Sequence, residues 1–285
     1  SGCYMAPVDK ITSLFMDSQV DTSSSIYQDK VAKANQRFYD QIAEVYDEVD
    51  QRRSGHIDHT WVDRVLKKIL EILASTNEAP EELSFLDAAS GSGFLAQRAL
   101  NFFPRMTVLD ISQNMLKRIN LPGTLKVCSD TRYIPAKESS FDVVAGFATL
   151  HHLKSPKNFF QESFRVLRPG GILYTDHDIE SQFVNNFRPM LWLYRKFFDH
   201  GKDYLKNCPE SNEQDYFLSE FHGEKGLSGP KLALQLAEAG FQVKEVTYHW
   251  EGMGSTASFL RSLGLSGMLK RRGLAPIVRL IAVKL

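Results

Sequence analysis

Apolar positions along the chain follow two rhythms. In the N-terminal part they recur at helical spacing: Val31, Phe38, Ile42 and Val45 fall on one stripe, and Trp61, Val65, Ile69 and Ile72 on another, which predicts two amphipathic helices. From Leu83 the rhythm changes to short apolar runs at 84–86, 106–109, 125–128, 141–145 and 172–175. Amphipathic, helix-length stretches at 94–103, 113–119 and 157–167 lie between most of them. Strand–helix alternation at this spacing predicts a parallel sheet with helices on both faces. Residues 230–239 read as a helix that starts with a proline and stops at Gly240, and 241–250 and 277–285 read as the last two strands. The expected organisation is an N-terminal arm and helical cap over 1–80, a core over 81–180, an aromatic-rich insertion over 181–228 and a completion of the sheet over 229–285. Within the cap, residues 1–25 lack periodicity and 75–82 form a polar break.

Composition narrows the classes. The 285 residues carry 34 basic and 34 acidic side chains, with 43% hydrophobic and 24% charged residues, the profile of a globular protein without a broad phosphate-binding field. Nucleic acid is therefore not an expected partner. The basic tail after Glu251 (Arg261, Lys270, Arg271, Arg272, Arg279, Lys284) reads first as a solvated face. No stretch reaches the ~20 apolar residues of a membrane helix, and the first twenty residues lack the sustained apolar core of a secretory leader. Cys3, Cys128 and Cys208 fit neither a disulfide framework nor paired zinc spacing. A cytoplasmic setting is expected.

The most informative segment is Leu86-Asp87-Ala88-Ala89-Ser90-Gly91-Ser92-Gly93-Phe94. It follows a strand and opens a helix, so Gly91 and Gly93 let backbone approach a ligand at a helix N-terminus. Gly91-x-Gly93-x-x-Ala96 also fits a dinucleotide fingerprint, which keeps an NADP-type oxidoreductase open as a rival. Asp87 argues against it. A carboxylate at the strand end repels a pyrophosphate and suits the ammonium of a methionine-like group. Asp110 ends the second strand where an acid can take two ribose hydroxyls. Asp130 and Thr131 follow the third, where a short acid can accept from an adenine amino group.

With Phe141-Asp142 and Arg168-Pro169-Gly170-Gly171 downstream, this series resembles the class I S-adenosylmethionine-dependent methyltransferases, in particular those acting on small molecules. The likeness runs from about Phe38 to Tyr174. One departure is Ala89, which stands where the family's loop usually has its first glycine. The resemblance implies an α/β fold: a Rossmann-like, seven-stranded, mostly parallel sheet with an N-terminal helical cap and a helical lid insertion after the fifth strand. It implies S-adenosylmethionine as cofactor, with Asp87 and Gly91 on the methionine part, Asp110 on the ribose, and Ala89, Ser90, Gly93, Ile111 and Met115 among the cofactor contacts. Asp130, Thr131 and Phe147 complete the set, with Tyr39 or Tyr46 of the cap near the sulfonium.

The acceptor is set elsewhere. Methyl transfer is mostly positioning and desolvation, although a phenol or alcohol acceptor wants a base. His177, flanked by Asp176 and Asp178 at the end of the fifth strand, is the candidate. His151 and His152 belong to a His-His-Leu that many members of the resembled family share without a catalytic role. A metal site on Asp176, His177 and Asp178 lacks a fourth well-spaced ligand, so no metal is expected. Aromatics such as Phe183, Phe187, Trp192, Tyr194, Tyr216 and Phe221 crowd the 181–228 insertion, with His200 and His222 among them. They suit a lid over an apolar or aromatic acceptor, or else a dimerisation surface, which leaves a homodimer open. The expected activity is methylation of a small metabolite at oxygen. The non-enzymatic rival is a binding protein that kept the fold.

Overall fold

The computed structural model describes residues 25–49, 59–74, 82–197, 208, 212–223, 225–253, 262, 264 and 267–285. The arm, the polar break at 75–81 and the lid positions around His200 lie outside these residues. The seven strands form one sheet in the order β3-β2-β1-β4-β5-β7-β6. They are β1 (Ser84–Ala88), β2 (Arg105–Asp110), β3 (Leu125–Cys128), β4 (Phe141–Phe147), β5 (Leu167–Ile179), β6 (Phe241–His249) and β7 (Ile277–Lys284). Strands β1 to β5 pair in parallel, and β7 runs antiparallel to both β5 and β6. This is the Rossmann-like arrangement the sequence suggested.

Period-two alternation in buried strands feeds two cores. Phe85, Val108, Val143 and Ile172 face one layer, with Trp61, Val62, Leu66 and Ile69 of α3 (Thr60–Leu73) and Leu95 of α4 (Phe94–Ala99). Leu86, Leu109, Val144 and Leu173 face the other, with Phe159 and Phe160 of α6 (Lys157–Val166) and Leu232 and Leu236 of α10 (Gly229–Glu238). Each fully buried side chain of this kind contributes roughly 1.5–3 kcal/mol. Between these lie α5 (Gln113–Arg118), capped by Ser112, and, in the N-terminal part, α1 (Ser25–Ile42) and α2 (Tyr46–Val49).

Two elements differ from the expected bounds. The helix expected over 94–103 stops at Ala99, and the N–H groups of Phe102 and Phe103 both donate to the Ala99 carbonyl in a turn that closes just before Pro104. β5 is far longer than 172–175. It begins with Arg168-Pro169-Gly170-Gly171 and continues through Asp178, with a register shift against β7 between Thr175 and Asp178.

The 181–228 insertion divides between two places. Helices α7 (Ser181–Asn186) and α8 (Arg188–Phe197) start beside β7, where Phe183 meets Trp250 edge-on and Asn186 donates to the Gly273 carbonyl. Helix α9 (Glu213–Ser219) packs on α1 instead. Tyr27, Val31 and Ala34 share a small apolar cluster with Leu218, and Arg37 forks onto Asp215 at 2.7 and 2.5 Å.

Candidate active site

Strands β1 and β4 are each followed by an alanine held in the left-handed region, Ala89 at φ 59° and Ala148 at φ 52°. Both line one cavity, which encloses about 1030 Å³ of empty space including its open mouth. Its floor is the loop after β1. Gly91 (φ 55°) and Gly93 (φ 88°) carry the backbone around a turn that L-residues with side chains resist, delivering the chain into α4.

Carboxylates from neighbouring strands fix that loop. Asp110 Oδ2 accepts from the Gly91 N–H at 2.8 Å and Oδ1 from the Ser112 N–H at 2.8 Å. Asp87 Oδ2 accepts from the Ala96 N–H at 3.0 Å. Burial pushes Asp87 up to about 8, helped by the Asp110 charge, and burial pushes Asp110 up to about 6 against its backbone hydrogen bonds.

Twelve of the thirteen expected cofactor contacts line this cavity: Tyr39, Tyr46, Asp87, Ala89, Ser90, Gly91, Asp110, Ile111, Met115, Asp130, Thr131 and Phe147. Gly93 stands behind the loop, where a Cβ would press on Ile119 at 3.1 Å. His177 also falls outside the lining. At φ 67°, on the irregular stretch of β5, its ring stacks against both Trp61 (centroids 5.0 Å) and Phe147 (4.5 Å), which also stack on each other at 6.1 Å. It is therefore one aromatic ring removed from the cavity. Of its sequence neighbours, Asp176 accepts the His177 N–H at 2.7 Å and lies 3.4 Å from His177 Nδ1 while also binding Arg279 at 2.6 Å, whereas Asp178 faces His151 at 2.8 Å. Asp130, expected at the adenine edge, spends its carboxylate on Arg132, which donates from its backbone N–H, Nε and a terminal nitrogen at 2.9, 2.9 and 2.7 Å.

The motifs Phe141-Asp142 and Arg168–Gly171 act at the other end of the sheet. Asp142 accepts from the Ser84 N–H and hydroxyl at 2.7 Å each and from Arg168 at 2.6 Å. Burial pushes that carboxyl up, but these bonds outweigh it and hold it below the ordinary range. Both motifs clamp β1, β4 and β5 together.

Lining residues that the sequence reading missed include positions of the run after β4, from Ala148 to Ser155, and a face of α1, where Gln28, Val31, Ala32 and Asn35 stand beside Tyr39. Their i, i+3, i+4, i+7, i+11 spacing with amides at Gln28 and Asn35 was the available signal. Asp40 seats this helix by accepting from Ser112 Oγ at 2.6 Å, and Asp47 of α2 accepts from Ser92 Oγ at 2.7 Å. The N-terminal helices are thus tied to the glycine loop and to the α5 cap.

The cavity passes a chemical test for a nucleoside-bearing cation. Asp87 Oδ1, Ser90 Oγ and Thr131 Oγ1 are buried with no hydrogen-bond partner, although buried polar atoms are normally paired. A ligand with an ammonium, a diol and a heterocyclic amine supplies the missing partners.

Residues 86–175 match a methyltransferase domain. Among curated relatives, the demethylmenaquinone methyltransferase of Chlorobaculum tepidum is 28% identical over 162 residues, 56% of this chain and 65% of that protein. The mitochondrial 2-methoxy-6-polyprenyl-1,4-benzoquinol methylase of Caenorhabditis elegans is 27% identical over 46% of this chain and 48% of its own length. The ubiquinone biosynthesis O-methyltransferase of Parvibaculum lavamentivorans is 26% identical over 59% and 62%. The chain thus spans between about half and two thirds of these relatives. Among solved structures, the [4+2]-cyclase SpnF superposes with a TM-score of 0.55 at 15% identity, covering 87% of this chain and 94% of that one. A SAM-dependent methyltransferase from Aquifex aeolicus gives 0.51 at 16%, covering 86% and 98%. At these identities the structural likeness shows the fold alone. Taken with the matched domain, the relatives and the site, it supports a class I S-adenosylmethionine-dependent methyltransferase. S-adenosylmethionine is the cofactor that such a domain implies.

Proposed function

We propose that the protein methylates a small, partly apolar or aromatic metabolite at oxygen, using S-adenosylmethionine. The observation that carries this reading is the pair of desolvated carboxyls, Asp87 and Asp110, facing one cavity with the orphaned Ser90 and Thr131 hydroxyls. That set disfavours the pyrophosphate of a dinucleotide and suits a cationic amino-acid nucleoside. When bound, the cofactor supplies an electrophilic methyl group on its sulfonium.

The chain's own residues bind, orient and exclude water. Asp87 answers the ammonium, Asp110 the ribose hydroxyls, and the Thr131 hydroxyl the adenine edge. Tyr39, Tyr46, Phe94 and Phe147 give the remaining wall an aromatic character that suits a planar acceptor. Such a wall keeps water from the sulfonium, which strengthens electrostatic interactions inside. The demethylmenaquinone and the polyprenyl benzoquinol in the relatives' names are planar rings of this kind.

The test is calorimetry with S-adenosylhomocysteine and, separately, NADP. S-adenosylhomocysteine should bind, and Asp110→Ala should weaken it by about 2–4 kcal/mol while leaving the melting cooperative. Unchanged affinity in the variant, or binding of NADP alone, overturns the cofactor assignment. Turnover with labelled cofactor against phenols, amines and carbon acids then decides the acceptor atom.

A further inference from the structure

At one edge of the cavity stands a group of side chains outside the thirteen residues assigned to the cofactor. His151 and His152 lie on the 3-10 turn after β4 (Leu150–His152), and Glu220 follows α9. One nitrogen of each imidazole and one carboxylate oxygen lie within 4.8 Å of one another. All three side chains are half-buried.

Each imidazole is oriented from behind by an acceptor. His151 Nδ1 is 2.8 Å from Asp178 Oδ1, which also accepts the His151 backbone N–H at 3.0 Å. Asp178 is 1% exposed, and its second oxygen has no hydrogen-bond partner. His152 Nδ1 is 2.8 Å from the Ser219 carbonyl, which can only accept, so that nitrogen carries the proton. A carboxylate behind one imidazole and a backbone carbonyl behind the other is the outer shell that metal-ligating histidines use. It leaves Nε2 of each ring to ligate: that of His151 is 3.7 Å from Glu220 Oε2 and that of His152 is 3.5 Å from the Tyr39 hydroxyl, while the proton-bearing Nδ1 of His152 lies 3.7 Å from Glu220 Oε1.

The spacing also suits an ion better than a hydrogen bond. The 3.7 Å between His151 Nε2 and Glu220 Oε2 exceeds hydrogen-bond length. Two ligands each ~2.1 Å from a tetrahedral ion stand about 3.4 Å apart. Glu220 arrives from a distant segment, yet its position is anchored by the Arg37–Asp215 fork and by Tyr39, whose hydroxyl donates to Glu220 Oε1 at 3.2 Å. Tyr39 and His152 both line the cofactor cavity, so this cluster borders it on the β4 side.

We propose that His151, His152 and Glu220 bind one divalent transition-metal ion, of the zinc or cobalt class, at the wall of the cavity. Two imidazoles and one carboxylate are a ligand set for zinc and for open-sided iron, manganese or cobalt sites. Three protein ligands leave coordination positions for water or for oxygens of a second ligand. An acceptor carrying two adjacent oxygens on a ring is the substrate class such an ion would orient. This last step rests on the methyl-transfer reading, whereas binding of the ion does not.

The experiment is titration of the full chain with cobalt(II), followed by absorption spectroscopy, with zinc(II) displacement by calorimetry. One equivalent of cobalt should give the visible bands of a four- or five-coordinate site. His151→Ala and Glu220→Gln should each weaken binding by at least 100-fold, and Asp178→Asn by about 10–100-fold. A catechol should then shift the cobalt bands in the wild type. S-adenosylhomocysteine calorimetry and a melting curve on every variant separate loss of the metal site from loss of fold or of the cofactor site. Wild-type affinity only in the millimolar range, or tight binding that survives both ligand variants, overturns the site. Tight binding with no catechol response overturns only the substrate class.

Discussion

Asp87 and Asp110 end neighbouring parallel strands and share one cavity, and the charge on Asp110 adds to burial in pushing Asp87 up to about 8. Burial likewise raises Asp110 to about 6. Both values lie above the ordinary carboxylate range, so in the ligand-free fold these acids hold protons that the unfolded chain has released. The sign follows from linkage: their contribution to stability is full below about pH 4 and is lost as pH rises through about 6 and then about 8. Asp110 alone accounts for on the order of 3 kcal/mol.

The ligand-free protein should therefore lose melting temperature between pH 6 and 8.5, and Asp87→Asn should flatten that fall. The stabilisation given by S-adenosylhomocysteine should grow over the same range, because its ammonium favours the ionised acids. At pH 7 binding should release protons, seen as an enthalpy that depends on the buffer. A ligand-induced shift that is constant from pH 6 to 8.5 would falsify this pairing.

Ala89 offers a simpler test. It holds φ 59°, a conformation that costs an L-residue with a side chain roughly 1–2 kcal/mol. Glycine there relieves that strain and gives back about 0.5–1 kcal/mol through the freedom of the unfolded chain. Ala89→Gly should raise the melting temperature by about 1–4 °C and leave S-adenosylhomocysteine affinity equal or better. A lower melting temperature would show that the Ala89 methyl makes contacts worth more than the strain.

What could be read in the chain, and what could not, follows from distance along it. The acid types at the ends of β1 and β2 and the glycines between them are local features, so Asp87, Gly91 and Asp110 were legible as one site. The strand order was legible because each strand–helix unit is short. Partnerships between remote segments were not. His151 meets Asp178 across 27 positions, and Tyr39 meets Glu220 across 181. Neither leaves a pattern of spacing. Asp130 was read by its place after β3, but Arg132, two residues on, competes for it. His177 was read as a strand-end side chain, yet the register shift of β5 against β7 turns its ring into the Trp61–Phe147 stack.

A buried ionic network joins β5 to β6 and β7. Asp176 is fully buried and accepts from Arg279 Nε at 2.6 Å, Tyr174 Oη at 2.8 Å and the His177 N–H at 2.7 Å, with His249 Nε2 at 2.9 Å. Burial pushes this carboxyl up, but the Arg279 charge and the His249 contact more than offset it and hold it well below the ordinary range. Breaking one partner leaves a buried charge uncompensated. In urea denaturation, Arg279→Met should cost about 3–5 kcal/mol, and the double variant with Asp176→Leu should cost less than the two single variants summed. Additive losses would mean that the two groups are not coupled.

His177 decides whether turnover needs a base from β5. Its ring is nearly parallel to Trp61, at 8° between planes, and its Nε2 leaves no room beside Gly252, where an added Cβ would come within 2.5 Å. A ring packed this way is suited to supporting Phe147, which does line the cavity. A phenylalanine keeps the stack and removes the ring nitrogens, whereas an alanine removes both. If the stack is what matters, His177→Phe should keep kcat within about threefold with an unchanged pH profile. His177→Ala should lose about 2–4 kcal/mol of stability to the cavity it leaves and raise KM through a loosened Phe147. If instead both variants lose kcat by about 10²–10⁴ while S-adenosylhomocysteine affinity holds, the imidazole moves a proton in the reaction and must leave this stack to do so. The measurement that separates the outcomes is kcat across pH 6 to 9 for the two variants side by side, with melting curves taken on the same samples.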